Sequence, residues 1–170
     1  MNYSALVLIA CVACGAQAQT REHAETSIVL RLPALPVAAF PLFGPARESE
    51  WSPHWNPRIL FPPDQRQLAG TVFTTSQGAD EAVWLMDTYD ERALRIGYVI
   101  IRPGMYATRL DIALKAAADQ TTVATVTYRQ TALSDAGDRY VKEFARDFPS
   151  ERDHWEHAIS RRLLELARRP

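Results

Sequence analysis

From Arg58 onward the hydropathy of the chain repeats every second residue. Apolar and polar positions alternate through "RILFPP", "GTVFTTS", "EAVWLMDTY", "ALRIGYVIIR", "YATRLDIALK" and "TTVATVTYRQ", the pattern of strands with one buried face. The connections are short: 76–80, 90–92, and a Pro103-Gly104 pair suited to the centre of a type II turn. Parallel neighbours need crossovers of a dozen or more residues, so these six strands must pair as an antiparallel meander.

The alternation also assigns faces. Tyr106, Thr108, Leu110, Ile112 and Leu114 share one side of their strand, and Arg109, Asp111 and Lys115 share the other. The same parity groups Leu94, Ile96, Tyr98 and Ile100, and likewise Ala124, Val126 and Tyr128, as an inner face. The strand around Trp84 carries apolar residues on both sides, and its parity stays open.

Upstream, 27–34 ("SIVLRLPA") reads as a first strand ended by Pro33 and Pro36. Between it and the meander, "LPVAAFPLFG" and "ARESEW" hold only a turn or two of helix each, because Pro41 and Pro53 interrupt them. Downstream, Ser134 is a suitable N-cap for a helix over 135–148, with Val141, Phe144 and Phe148 on one side. Pro149 breaks the run, and Ser150 with Asp153 forms a capping signature for its restart. Trp155, Ala158, Ile159, Arg162 and Leu166 then fall on one stripe. The fold class is α+β: a twisted sheet curling round a C-terminal helix encloses space, and a ligand belongs there.

At 170 residues the chain suits one domain with its own core. The net charge is −1 with acids and bases interspersed, and no basic stripe could follow a row of phosphates, so nucleic acid is not an expected partner. Arg161, Arg162, Arg168 and Arg169 sit where cations offset a helix dipole. Residues 1–18 read as a signal peptide: "SALVLIACVAC" is apolar but too short to span a bilayer, and Ala16-Gln17-Ala18 has the form of a cleavage site. No Lys or Arg precedes the apolar run. A lipoprotein signal ending at Cys11, or acylation at Cys14, is the alternative. The expected location is periplasmic or secreted, with 19–170 as the folded domain. Both cysteines lie in the leader, so that domain has no thiol chemistry.

The segment "ARESEWSPHWNP" concentrates candidate site residues. Glu48 and Trp51 are one helical turn apart, and Trp55 follows Pro53. On the structural reading the tryptophans plug the end of the sheet, while Glu48 bonds to backbone or to an indole N–H. On the functional reading Glu48 is an acid or base whose carboxyl pKa is raised by an apolar wall. Scaffold with a share in the cavity lining is favoured, and Glu48 and His54 are the weak catalytic candidates. Tyr98, Tyr106 and Tyr128 can offer hydroxyls to a ligand or serve as core aromatics. Phe73, Trp84, Ile112, Trp155 and Ile159 complete the candidate ligand-binding set. His154 and His157 lack a third metal ligand, so no metal is expected. Arg162 could hold a carboxylate, but a stem along the stripe with its head in water is favoured. No dinucleotide fingerprint, phosphate loop or Ser-His-Asp set is present, and no cofactor is expected.

In order and wording the chain resembles the SRPBCC superfamily, the START-like, polyketide-cyclase-like or helix-grip proteins. The resemblance spans about residues 26–167 and rests on "FPLFGPARESEWSPHWNPRILFP", "GTVFTT", the Trp84 strand and "TALSDAGDRYVKEF". It is similar to a subgroup carrying F-P-L-x-x-P-x-R/G-E-x-x-W-x-P-x-W. The resemblance implies a seven-stranded antiparallel sheet wrapped around a long C-terminal helix, with two short helices between strands 1 and 2. It also implies a cavity for a lipid or other hydrophobic or amphiphilic small molecule. Three readings follow: an exported binding protein, which is favoured; a cyclase or dehydratase using a pocket Glu, His or Tyr; and an envelope interaction protein whose core is filled.

Overall fold

The computed structural model describes residues 20–77 and 80–168. Residues 1–19, with Cys11 and Cys14 and the expected signal peptide, lie outside the described residues. The elements run β1 (His23–Leu32), α1 (Pro36–Ala39), α2 (Pro45–Glu48), β2 (Arg58–Phe61), β3 (Thr71–Gln77), β4 (Asp80–Asp90), β5 (Arg95–Arg102), β6 (Tyr106–Ala116), β7 (Thr122–Ala132), α3 (Asp135–Asp147) and α4 (Arg152–Ala167). All seven strands form one antiparallel sheet in the order β1-β7-β6-β5-β4-β3-β2. The meander is as expected, and the first strand returns to close it by pairing with the last. β1 begins four residues earlier than its hydropathy suggests and stops at Leu32, before Pro33.

Burial follows the alternation. Ile96, Tyr98, Ile100, Thr108, Leu110, Ile112, Leu114, Ala124 and Val126 are all buried on the concave side. Leu94 departs from its expected strand position: it lies in the turn before β5 with φ 55 and packs against the core from there. In β4 the inward residues are Ala82, Trp84 and Met86, while Val83 and Leu85 are exposed on the convex side. A register shift between Met86 and Thr88 then turns Tyr89 toward the core, where its ring meets Phe40 at 5.0 Å. The convex side is wet along β6, as expected. Arg109 pairs with Asp87 and Asp111, and Arg129 bridges Asp111 and Glu25.

The prolines set the short helices. Pro36 and Pro45 open α1 and α2, and Pro41 sits in the 3-10 turn Phe40–Phe43 between them. That wedge buries Phe40, Leu42 and Phe43. Ser134 caps α3 as expected: its Oγ accepts from the Gly137 amide at 3.0 Å and donates to the Gly104 carbonyl at 2.6 Å.

The second cap differs. α3 passes into α4 through the 3-10 turn Phe148–Glu151, and Ser150 donates back to the Asp147 carbonyl instead of capping α4. The turn keeps the chain helical, so residues 135–167 act as one long, slightly broken helix. α3 packs on β7 and β1, and α4 packs on β1. The rest of the concave face is left to the wedge and the segment that follows it.

Candidate functional site

Between the wedge, the concave sheet and α4 lies a cavity of about 280 Å³. All four tryptophans of the chain line it: Trp51 and Trp55 after the wedge, Trp84 from β4 and Trp155 from α4. Tyr98, Leu110, Ile112 and Tyr128 come from β5, β6 and β7, and Phe43, Glu48, Ser52 and His54 close the remaining side. A wider groove of about 620 Å³ adjoins it along the same face. Arg58, Glu81, Arg102 and Tyr106 line that groove, and it shares His54, Trp55 and Trp84 with the inner cavity. Those three residues form the partition between the two spaces.

The rings brace one another. Trp55 and Trp84 meet edge to face at 5.3 Å, and so do Trp51 and Trp155. Tyr128 packs on Phe144 and Phe148 of the C-terminal helical segment, and Phe148 touches Trp155. Three of the four indole N–H groups are committed elsewhere. Trp51 donates to the Leu42 carbonyl at 2.7 Å, Trp55 to the Pro45 carbonyl at 2.8 Å, and Trp84 to Thr75 Oγ1 at 2.9 Å. Tyr98 spends its hydroxyl on the Phe43 carbonyl at 2.9 Å.

Glu48, the last residue of α2, does not bond to an indole or to backbone through its carboxyl, contrary to the structural expectation. Among the described residues its carboxyl has no hydrogen-bond or ion-pair partner, because both neighbouring indoles already serve wedge carbonyls. Its backbone carbonyl accepts from Trp51 and Ser52. Removal from bulk water, with no cation to offset it, pushes the carboxyl pKa up to about 8. The residue keeps partial accessible surface because it faces the cavity space. Burial raises the Tyr98 and Tyr128 hydroxyls above the ordinary phenol range, and the proximity of Glu48 adds to both shifts.

The other candidates fall in different places. Phe73 is fully buried behind the lining, stacked on Trp84 at 5.3 Å. Ile159 is fully buried in the helix–sheet core. Tyr106 faces the outer groove and stacks on Tyr140 at 4.9 Å. His154 and His157 are exposed, and no cluster among the described residues is arranged to hold a metal. Arg162 departs from expectation. Its side chain is only 14% exposed and its guanidinium is paired with Glu50 at 2.6 Å instead of lying in water. Phe43, Ser52 and Leu110 join the lining unannounced. Leu110 carried the same parity as Ile112, whereas no sequence pattern marked the other two.

No protein-family model and no curated protein matches the chain by sequence. Solved structures match by shape. Norcoclaurine synthase from Thalictrum flavum aligns with a TM-score of 0.63 at 13% identity, covering 96% of this chain and 99% of that one. Ara h 8.0201 aligns at 0.62 with 17% identity, covering 85% and 99%. A protein of the dynemicin biosynthetic locus aligns at 0.55 with 14% identity, covering 84% of this chain and 48% of its own. The architecture is therefore the Bet v 1-like helix-grip fold. At these identities the likeness defines the fold.

Proposed function

We propose that this chain is a binding protein for a small hydrophobic or amphiphilic molecule held in the inner cavity. The observation that carries the reading is the concentration of all four tryptophans and two inward tyrosines around one space. Such a lining gains affinity from apolar burial, about 25 cal/mol per Å² removed from water. Its size is at the small end of ligand sites, which run from roughly 300 to 1,000 Å³. That favours a compact molecule over a sterol or a two-chain lipid. The apolar run before Ala16-Gln17-Ala18 supports, within the same proposal, a site of action outside the cytoplasm. Native mass spectrometry of the chain purified from envelopes tests both parts. A non-covalent mass lost at higher collision energy, on a chain beginning at residue 19, is the expected result. A bare chain, still bare after incubation with envelope extract, overturns the binding reading.

A second reading has its own observation. A carboxyl with a pKa of about 8 beside two tyrosines is protonated at neutral pH and can act as a general acid. On that reading the chain is an enzyme of the cyclase or dehydratase kind. Glu48→Gln would then abolish turnover while leaving ligand affinity intact.

A further inference from the structure

Resting on the cavity-binding reading, we infer that the ligand is a compact organic ammonium, an alkylamine or arylalkylamine. Its charged nitrogen would meet the unpartnered Glu48 carboxyl among the tryptophan and tyrosine rings.

The lining supplies one side of such a pair and omits the other. Seven of its twelve residues carry a benzene, phenol or indole ring, and neither Lys nor Arg is among the twelve. An anionic ligand would find no lysine or arginine there to offset the cost of removing its charge from water. A neutral apolar ligand would fill the space and cover the carboxyl without giving it a partner, an arrangement that costs free energy. An ammonium answers both features. Its N–H groups donate to the carboxylate in a charge-assisted bond, and its charge is attracted to ring faces, for which indole is the best partner. Rings set edge to face, as Trp55 and Trp84 are at 89°, present both a face and an edge to the space they line. The small volume limits the rest of the molecule to a short chain or a single aromatic ring.

The pairing has a proton consequence. The groups facing Glu48 are the Tyr98 and Tyr128 hydroxyls, from β5 and β7, and His54 on its own segment. Arg47 on α2 is paired with Glu50. Both tyrosines are held neutral, so the proton given up when an ammonium docks comes from Glu48. Binding then releases close to one proton at pH 7.

The test titrates the purified full chain with matched pairs of equal size, following tryptophan fluorescence and calorimetry. 2-Phenylethylamine is compared with 2-phenylethanol and phenylacetate, and hexylamine with hexanol. The expected result is at least tenfold tighter binding of each amine than of its alcohol, no binding of phenylacetate, and proton release seen as a buffer-dependent heat. Glu48→Gln should lose both the amine preference and the proton release. Equal or tighter binding of the alcohols by the wild type overturns the ammonium assignment while leaving the cavity reading intact. Proton release that persists in Glu48→Gln comes from another group and also overturns it. Failure of all five probes to bind overturns this inference and, unlike the other outcomes, the binding reading beneath it. The wild-type preference is read without any variant, so a Glu48→Gln chain that folds poorly does not shelter the proposal.

Discussion

The Arg162 guanidinium on α4 donates to the Glu50 carboxylate, just beyond α2, through Nε at 2.7 Å and a terminal nitrogen at 2.6 Å. This pair latches the C-terminal helix to the segment that roofs the cavity. Hydrogen bonds from Arg47 and from Arg162 hold the Glu50 carboxyl down at about 2. A carboxyl depressed on folding stabilises the fold above its unfolded pKa of about 4.3, and that stability fades as the pH falls toward 2. Arg162→Met should cost about 1–2 kcal/mol at pH 7, more than an exposed pair because the guanidinium is mostly covered. Urea denaturation of Arg162→Met, Glu50→Gln and the double variant checks this. The coupling should vanish near pH 2, and equal stability of all four proteins at pH 7 would remove the latch.

Glu48 shows the opposite sign. Its folded pKa of about 8 lies above the unfolded value of about 4.3, so the native state holds the proton more tightly. Stability contributed by this group is therefore fully present below pH 4.3 and is lost as the pH rises through 8. Each unit of difference corresponds to about 1.4 kcal/mol. Cavity solvent trims the total, leaving a decline of a few kcal/mol across that window. Glu48→Gln removes the ionisation and should flatten this part of the profile, making the variant more stable than wild type at pH 9. Melting curves between pH 5 and 9 decide the matter, and parallel wild-type and variant profiles would contradict it.

The sheet could be read in the sequence where one face is dry and the other wet. Leu110, Ile112 and Leu114 alternate with Arg109 and Asp111, and only one register buries the first set. β4 resisted because Val83 and Leu85 are exposed at 42% and 39% on the convex side, so its hydropathy carries no face information. The Ser150 signature misled because a cap is needed only where backbone amides are orphaned, and the 3-10 turn carries the chain from α3 into α4 without leaving helical geometry. Of the aromatic lining, the 46–62 stretch supplies only Trp51 and Trp55, while Trp84, Tyr98, Tyr128 and Trp155 come from strands and a helix far along the chain. What no local pattern contains is pairing at a distance. Glu50 and Arg162 are 112 residues apart, and Glu48 is distinctive for lacking a partner, which follows from where the Trp51 and Trp55 indoles point.

Gly137, in the first turn of α3, lies against the turn between β5 and β6. A Cβ at this position would sit 1.9 Å from the Met105 carbonyl oxygen, which itself accepts from the Leu133 amide. Alanine gains about 1 kcal/mol over glycine in a free helix. Here the clash is with backbone that has no room to yield. Gly137→Ala should therefore lower stability by about 2 kcal/mol or more, moving α3 off the turn. Thermal denaturation checks it, and a rise in melting temperature would show that the helix can shift at little cost.

Ile112 separates an open cavity from a filled core. It is 4% exposed and lines the inner space from β6, with Leu110 two residues before it on the same face. In a close-packed core, Ile112→Phe would force neighbours off their rotamers at about 1–3 kcal/mol. Beside about 280 Å³ of free volume the larger ring has somewhere to go. The variant should keep its stability to within about 0.5 kcal/mol, since no contact is broken. It should also bind small apolar probes at least tenfold more weakly, because the ring occupies their volume. Both quantities come from one protein preparation, by melting and by tryptophan fluorescence titration. Intact stability with weakened binding fits a cavity that works by being empty. Loss of stability with unchanged binding would mean that residue 112 belongs to the packed core and that ligands enter elsewhere, by way of the outer groove at Tyr106.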